Sequence, residues 1–446
     1  MDTPIADFAR ACAESGSLRL HMPGHKGRAL LGPEPLDITE IPGADVLYRA
    51  EGIIRKSEEN AAALFGSART VYSAEGSSLC IRAMVYLAIR YAAMTGRRPL
   101  IAAGRNAHKT FVTSAALLDA EILWLFSENE ADGPVRCDIS PEELERVLIG
   151  ERPAAVYLTS PDYLGNCAAL EPLAALCRAH GALLLVDNAH GAYLRFLSPS
   201  RHPMDLGADI CCDSGHKTLP VLTGGAYLHL SSRCPETLRE MAETAMGLFA
   251  GTSPSYLILQ SLDLANRTLA EGYRERLAEM IRRLDTLKRQ LHEDGWQTSG
   301  DEPLKLTILP RSRGYTGSEL ASLLAERGIR CEFFDPDHLV CMFTPENEAD
   351  ACDRLYRALR GIERRPPLTG GPPTAGRPRR VLSPRQALLS PFETLPVGEC
   401  LGRVLASPGV SCPPAVPILV CGERIDSAAV SMMEYYGQRT CDVVIE

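Results

Sequence analysis

"ALLLVDNAHGAY", Ala182 to Tyr193, is the stretch that decides the reading of this chain. Leu183 to Val186 form an unbroken aliphatic run that ends on an acid, Asp187, and then gives way to Asn188, Ala189, His190 and Gly191. A strand that is apolar on both faces belongs in a sheet covered by helices on both sides, and such sheets meet their ligands at the carboxyl ends of strands. Asp187 stands at that end. Working outward, short runs of the same kind alternate with helical periods from about Gly66 to Leu230. "PLIAAG", "EILWLF", "AAVYLTSP", "ADICCDS" and "GAYLHL" read as strands, and "GSSLCIRAMVYLAIRYAAM" and "PLAALCRAHG" as helices. The alternation predicts an α/β fold with a mixed, mostly parallel sheet. In "SPEE", Ser140 can cap a helix, Pro141 suits its first position and Glu143 closes a capping box.

Beyond this region an amphipathic pattern from about Ser255 to Glu293 predicts a connecting helix. "LKLTILP", "GSELASLLAERG", "RCEFFDPDHLVCMF" and "NEADACDRLYRALRGI" suggest a smaller α/β unit, and "RRPPLTGGPPTAGRPRRVLSPR" reads as a linker. The expected division is an N-terminal segment 1–45, a large domain 46–254, a connecting helix 255–295, a small α/β domain 296–364, a linker 365–386 and a C-terminal domain 387–446. A chain of 446 residues has ample sequence for several cores. The net charge of −9 and pI near 5.7 give no basic footprint for nucleic acid or an anionic membrane, so small molecules are the expected partners. Fifteen cysteines, scattered through apolar runs with no CxxC pair, read as buried thiols of a reducing compartment, and no metal is expected. The N-terminus lacks the basic start and apolar core of a signal peptide, which points to the cytoplasm.

Thirty residues after Asp187, "ADICCDS" delivers "SGHK" at the equivalent sheet edge, so Asp187 and Lys217 can face one bound group. A buried acid and a buried lysine serving one heteroaromatic ring is the arrangement pyridoxal 5'-phosphate requires. Lys217 would form a Schiff base with the cofactor aldehyde, and burial keeps its amine available as a nucleophile or base. Asp187 would keep the pyridine nitrogen protonated, and Ala189, small and two residues along the same face, would let the ring lie close. The phosphate needs donors. Gly76, Ser77 and Ser78 open a helix, where free N–H groups favour an anion, although a Gly-Ser-Ser start is also an ordinary cap. Ser214 and His216 flank the lysine as further donors. The chain holds two other His-Lys pairs, "PGHKG" with His25 and Lys26, and "NAHKT" with His108 and Lys109; neither lysine follows a strand beside Asp187.

"LHMPGHKG", "DITEIPGADVLYRAEGII", "EGSS", "RNAHKT", "TSPDYLGN", "DNAHGAY", "SGHKTLP" and "GTSPSYLILQSLD", in this order, resemble the ornithine/lysine/arginine decarboxylase family of fold-type-I pyridoxal phosphate enzymes, in its shorter form. The resemblance spans about Leu20 to Asp263, and "SCPPAVPILVCGERI" is similar to that family's C-terminal signature. It implies an aspartate aminotransferase-like fold and decarboxylation of arginine, lysine or ornithine, with Lys217 as the Schiff-base lysine and Asp187 as the ring-nitrogen partner. It implies that His108 stacks on the ring face opposite Ala189, that His190 joins the cofactor contacts, and that Ser77, Ser78, Ser214 and His216 hold the phosphate. Thr252 and Ser253 match a segment that reaches the neighbouring subunit's phosphate, so a homodimer or larger homo-oligomer is implied. Lys217 and the histidines near it, His216 among them, are candidate proton donors. His25 and Lys26 fall near the active-site mouth as candidate substrate or dimer contacts, and Glu423 matches an acid of the family tail. The chain departs from the pattern where Asp45 is followed by Val46, where Tyr193 replaces a histidine, and at "CPPAVP", Cys412 to Pro417. Another pyridoxal phosphate reaction on the same fold, and a catalytically reduced homologue with a binding role, are the alternatives.

Overall fold

A computed structural model describes residues 1–127, 136–374, 376–412 and 416–445. Pro413, Pro414 and Ala415 of the divergent "CPPAVP" stretch lie outside the described residues. The chain packs as two compact units, the first comprising Met1–Pro99, Leu148–Leu158 and Leu170–Arg276, the second Leu100–Val147, Thr159–Ala169 and Leu277–Glu446. Seven strands belong to one mixed sheet: β1 (Arg69–Ser73), β2 (Leu100–Gly104), β3 (Glu121–Leu125), β4 (Ala155–Thr159), β5 (Leu183–Asp187), β6 (Ile210–Asp213) and β7 (Ala226–Leu230). Among the described residues no helix is long and apolar enough to cross a membrane.

In the first unit the strands lie in the order β1-β7-β6-β5-β4. β5 and β6 are parallel and place Asp187 beside Cys212. β7 runs antiparallel to both β6 and β1. The aliphatic runs that announced β4 to β7 are buried along their length, as strands covered on both faces must be. β1, "RTVYS", is the strand the apolar pattern does not announce. It is buried throughout because its polar groups find partners: Thr70 bonds His229 of β7 at 2.8 Å, and Arg69 pairs with Glu58 and Glu243. The helix Gly76–Thr95 that follows is likewise buried over much of its surface, through Leu79, Cys80, Ile81, Met84 and Leu87. The helical stretch expected over Ser255–Glu293 is two helices, Tyr256–Ala270 and Tyr273–Glu293. Between them Gly272 takes φ +70°, a conformation that ends the first helix and that residues with a side chain seldom adopt.

In the second unit β2 and β3 are parallel. A four-stranded antiparallel sheet follows, with β8 (Gln297–Ser299), β9 (Lys305–Leu309), β10 (Phe333–Phe334) and β11 (Leu339–Met342) in the order β10-β11-β9-β8. The C-terminal segment adds two antiparallel pairs, β12 (Phe392–Pro396) with β15 (Thr440–Val444), and β13 (Gly409–Cys412) with β14 (Val416–Val420). Leu405, Leu419, Ile425, Met433 and Val443 of this segment share one core with Phe333 and Val340. The Pro/Gly/Arg-rich stretch is bonded at several points: Arg365 N and Leu368 N donate to Arg313 O and Arg311 O, and Arg380 donates to Ile122 O at 2.8 Å. The helix expected after "SPEE" spans Pro141–Gly150, with Glu143 N donating to Ser140 Oγ at 3.2 Å.

A buried ion pair ties β2 to the C-terminal segment. Arg105, just after β2, forks onto Glu423 at 2.7 and 2.8 Å and donates to Ile418 O at 3.1 Å, while its guanidinium lies 5.0 Å from the Trp124 ring. Val420 N donates to the same carboxylate at 2.9 Å. Both side chains are almost fully out of water, so removing one partner leaves a buried charge without compensation. Glu423→Ala is expected to cost about 3–5 kcal/mol, read as a lowered urea midpoint. A loss below about 1 kcal/mol, the range of exposed pairs, would contradict this account.

Candidate active site

The site builds from the parallel ends of β5 and β6. Asp187 ends β5 almost fully buried, and accepts from Tyr157 OH at 3.0 Å, Ala189 N at 3.2 Å and Cys212 Sγ at 3.7 Å. All three are neutral donors. A buried carboxyl group met here only by neutral donors is suited to a cation brought against it, such as a protonated ring nitrogen. β6 ends at Asp213, and the chain turns through the short helix Gly215–Thr218, which carries Lys217. Lys217 Nζ lies 3.0 Å from His190 Nε2, and His190 comes from the loop after Asp187. The two strand ends therefore bring Asp187, Ala189, His190 and Lys217 into one unit.

A cradle for an anion lies in the same unit. Helix Gly76–Thr95 begins with no side chain capping it. Gly76 takes φ +73°, its N–H donates to Gly224 O at 2.7 Å, and the place where a Cβ would stand is open space. Ser214 Oγ donates to Ser77 Oγ at 2.8 Å, linking the lysine-bearing turn to this helix start. Ser77 and Ser78 are half-buried. His216 Nδ1 lies 3.0 Å from Gly225 O and must donate to it, which leaves the lone pair of a neutral ring on Nε2. Burial, and after it the Lys217 charge, holds its pKa below the ordinary histidine value, against the bond to Gly225. Nε2 is the ring nitrogen left to face a phosphate. Thr252 and Ser253 are exposed, on a loop tied to the cradle by Gly251 N donating to Glu75 Oε1 at 2.8 Å. Open space at a helix start, hydroxyl donors beside it, and a buried acid and a half-buried lysine at adjacent strand ends fit pyridoxal 5'-phosphate.

Sequence reasoning missed the groups that hold these strand ends. Tyr157 reads as one more apolar strand residue. Asp213 reads as a strand end, yet its side chain is fully buried and gathers three others. Asn188 Nδ2 donates to Oδ1 at 2.6 Å, His202 Nε2 to Oδ2 at 2.9 Å, and His229 Nε2 faces the same oxygen at 3.3 Å. Asn188 N also donates to Cys212 O at 3.0 Å, so the residue after Asp187 is stapled twice to β6. Cys211 stands close to His202 and Asp213, a grouping able to ligate a metal. The bonding argues for a hydrogen-bond hub instead: Met204 N donates to His202 Nδ1 at 3.3 Å, which leaves the proton on Nε2 as a donor to Asp213. Burial opposes ionisation of Asp213, but the two histidines outweigh it and hold the carboxyl well below the usual range.

His108, in the second unit, caps helix Lys109–Leu118, with Nδ1 accepting from Thr110 N at 3.2 Å, and Lys109 is exposed. His25 Nε2 lies 3.1 Å from Asp37 Oδ2, its Nδ1 accepts from Gly27 N, and Lys26 Nζ donates to His21 O. Tyr193 is fully buried. Glu423 is occupied by Arg105. Asp45 accepts from five backbone N–H groups, those of Val46, Glu51, Gly52, Ile54 and Arg55, at the start of helix Ile53–Phe65. Burial opposes its ionisation, but these donors prevail and lower its pKa, as expected for an acid at a helix N-terminus. Asp45 and Glu423, the acid that matches the family tail, are thus both engaged in holding the fold.

The family model described as Orn/Lys/Arg decarboxylase, major domain, matches residues 3–307. An arginine decarboxylase of Bacillus subtilis (strain 168) is 28% identical over 464 residues, covering 96% of this chain and 92% of that protein. The crystal structure of the Francisella novicida lysine decarboxylase LdcF superposes with a TM-score of 0.81 at 17% identity, covering 99% of this chain and 81% of that one. An alanine–glyoxylate aminotransferase from Nostoc superposes with a TM-score of 0.55 at 19% identity, covering 69% of this chain and 85% of that one. The fold is that of the aspartate aminotransferase-like enzymes.

The Asp213 hub has a pH signature. Its folded pKa is depressed below the unfolded value of about 3.9, so its contribution to stability is present above about pH 4 and lost as pH falls toward the folded pKa. Thermal melts between about pH 6 and about pH 3 should show wild type losing more stability on acidification than Asp213→Asn, which starts lower. Parallel curves would remove Asp213 from the account.

Proposed function

Because this chain belongs to the Orn/Lys/Arg decarboxylase family, we propose that it is a pyridoxal 5'-phosphate-dependent carboxy-lyase acting on a basic amino acid, with arginine the first candidate. The observation that carries this reading is the placement of Asp187 and Lys217 at the adjacent carboxyl ends of parallel β5 and β6, in one unit with an open helix start. The match to a curated arginine decarboxylase over nearly the whole chain supports arginine ahead of lysine and ornithine.

In this proposal Asp187 holds a positive charge on the ring nitrogen, and Tyr157 fixes the carboxylate that does so. Ser77, Ser78, Ser214, His216 and the uncapped N–H groups after Gly76 hold the phosphate. Ala189 leaves room for the ring, and His108 is assigned to its face. When bound, the cofactor supplies an electron sink for whichever bond at the substrate α-carbon is aligned with it. The protein's part is orientation and proton supply. Lys217 Nζ, 3.0 Å from His190 Nε2, sits where a proton passes between amine and imidazole, and this makes Lys217 the first candidate to return a proton to the α-carbon. His25 and Lys26 are assigned to the substrate carboxylate. Thr252 and Ser253 are assigned to the phosphate of a second subunit, which makes the working unit a homodimer or larger homo-oligomer.

Carbon dioxide release from arginine, lysine and ornithine tests the reaction. Release is expected with at least one, arginine fastest; keto-acid formation without carbon dioxide would reject decarboxylation. Lys217→Ala is expected to lower turnover by at least about 100-fold and to abolish the visible band that borohydride removes from the cofactor-loaded protein. A Thr252→Ala/Ser253→Ala variant should lose cofactor faster on dialysis with an unchanged circular dichroism spectrum. Unchanged retention would reject the cross-subunit contact.

A further inference from the structure

Away from the candidate active site, the second unit holds a cavity of about 500 Å³ lined by Arg330, Cys331, Cys341, Met342, Phe343 and Arg354, among others. The two cysteines meet there because of an irregularity in the hairpin. β10 pairs Phe333 with Val340, yet Glu332 N also donates to Val340 O at 3.0 Å. Two successive residues thus face one, and this bulge brings Cys331 into register with Cys341. Their sulfurs are 4.0 Å apart, with Cys341 Sγ donating to Cys331 Sγ. We propose that Cys331 and Cys341 form an oxidation site, in which a small peroxide entering the cavity is reduced and the two thiols close to a disulfide.

The two thiols divide the work. Cys331 is partly exposed and Cys341 is buried. The bond from Cys341 holds the Cys331 thiol below its ordinary pKa, against burial, whereas the same bond together with burial pushes Cys341 up. Partly exposed cysteines among the described residues are Cys12, Cys137, Cys167 and Cys331, and Cys137 is pushed up to about 11 by burial. An accessible thiol of lowered pKa beside a resolving thiol is the arrangement that peroxide chemistry favours. The Cys331 thiolate attacks one peroxide oxygen. The S–O bond forms, the O–O bond breaks, and the leaving hydroxide takes a proton to become water. Cys341 then gives up its proton and attacks the sulfenic sulfur, so that the S–S bond forms and hydroxide leaves as a second water. Two thiols and one hydrogen peroxide become one disulfide and two waters, with the sulfurs drawn from 4.0 Å to about 2.05 Å.

The full-length, cofactor-loaded protein treated with equimolar hydrogen peroxide, alkylated and digested, provides the test. The expected map shows the peptides carrying Cys331 and Cys341 joined, at higher occupancy than oxidation of Cys12, Cys137 or Cys167, and separated again by a dithiol reductant. Cys341→Ser should leave a sulfenic acid on Cys331 that dimedone traps, and Cys331→Ser should remove both products. Absence of the cross-link in wild type, or oxidation of Cys331 no faster than of the other partly exposed cysteines, would overturn the proposal whatever the variants do.

Discussion

Asp213 is a buried anion on which the placement of Asp187 and Lys217 depends. It is four residues before Lys217 on the chain, and through Asn188 it holds the residue that follows Asp187. An ionised carboxylate with no exposure to water is costly unless its lone pairs are met, and here an amide and two imidazoles meet them. The same bonds fix the two strand ends against one another. Displacement of about 1 Å between reacting groups costs on the order of 100-fold in rate, so a clamp at this point matters to chemistry that it does not touch. Thr70, bonded to His229, carries the clamp on to β1, the strand at the sheet's edge in this unit.

What was legible in the sequence follows from the range over which each signal acts. The strands β2 to β7 each announce themselves in five or six consecutive apolar residues, so local reading suffices. β1 holds only Val71 and Tyr72 between Arg69, Thr70 and Ser73, and its burial rests on partners elsewhere in the chain. Asp187 and Lys217 stood out because each ends an apolar run or turn at a strand's carboxyl edge. Asp213 occupies a similar place in "ICCDS", but nothing local separates a solvated acid from one whose partners, His202 and His229, arrive through a loop and the pairing of β6 with β7. The helix break at Gly272 did carry a local signal, the glycine itself, which the amphipathic pattern on either side masked.

Acidity in the sequence is a poor guide to substrate contact for the same reason. Asp45 and Glu423 lie in segments where the chain matches a basic-amino-acid family, and an acid there invites pairing with a substrate cation. Each instead answers a need of the fold. The helix start at Ile53 presents N–H groups that Asp45 accepts, and Arg105, buried against Trp124, requires a carboxylate that Glu423 supplies. Arg105 is three residues before His108, on the same loop from β2. The C-terminal segment, reaching back across 318 residues, thereby anchors the loop that carries this histidine. A tail acid that fixes a loop acts on orientation whichever amino acid is bound, so its presence is equally compatible with arginine, lysine or ornithine. Discrimination among them must come from groups whose hydrogen-bonding capacity the fold has not already consumed, because a buried donor or acceptor left unpaired by the wrong substrate is what produces large selectivity.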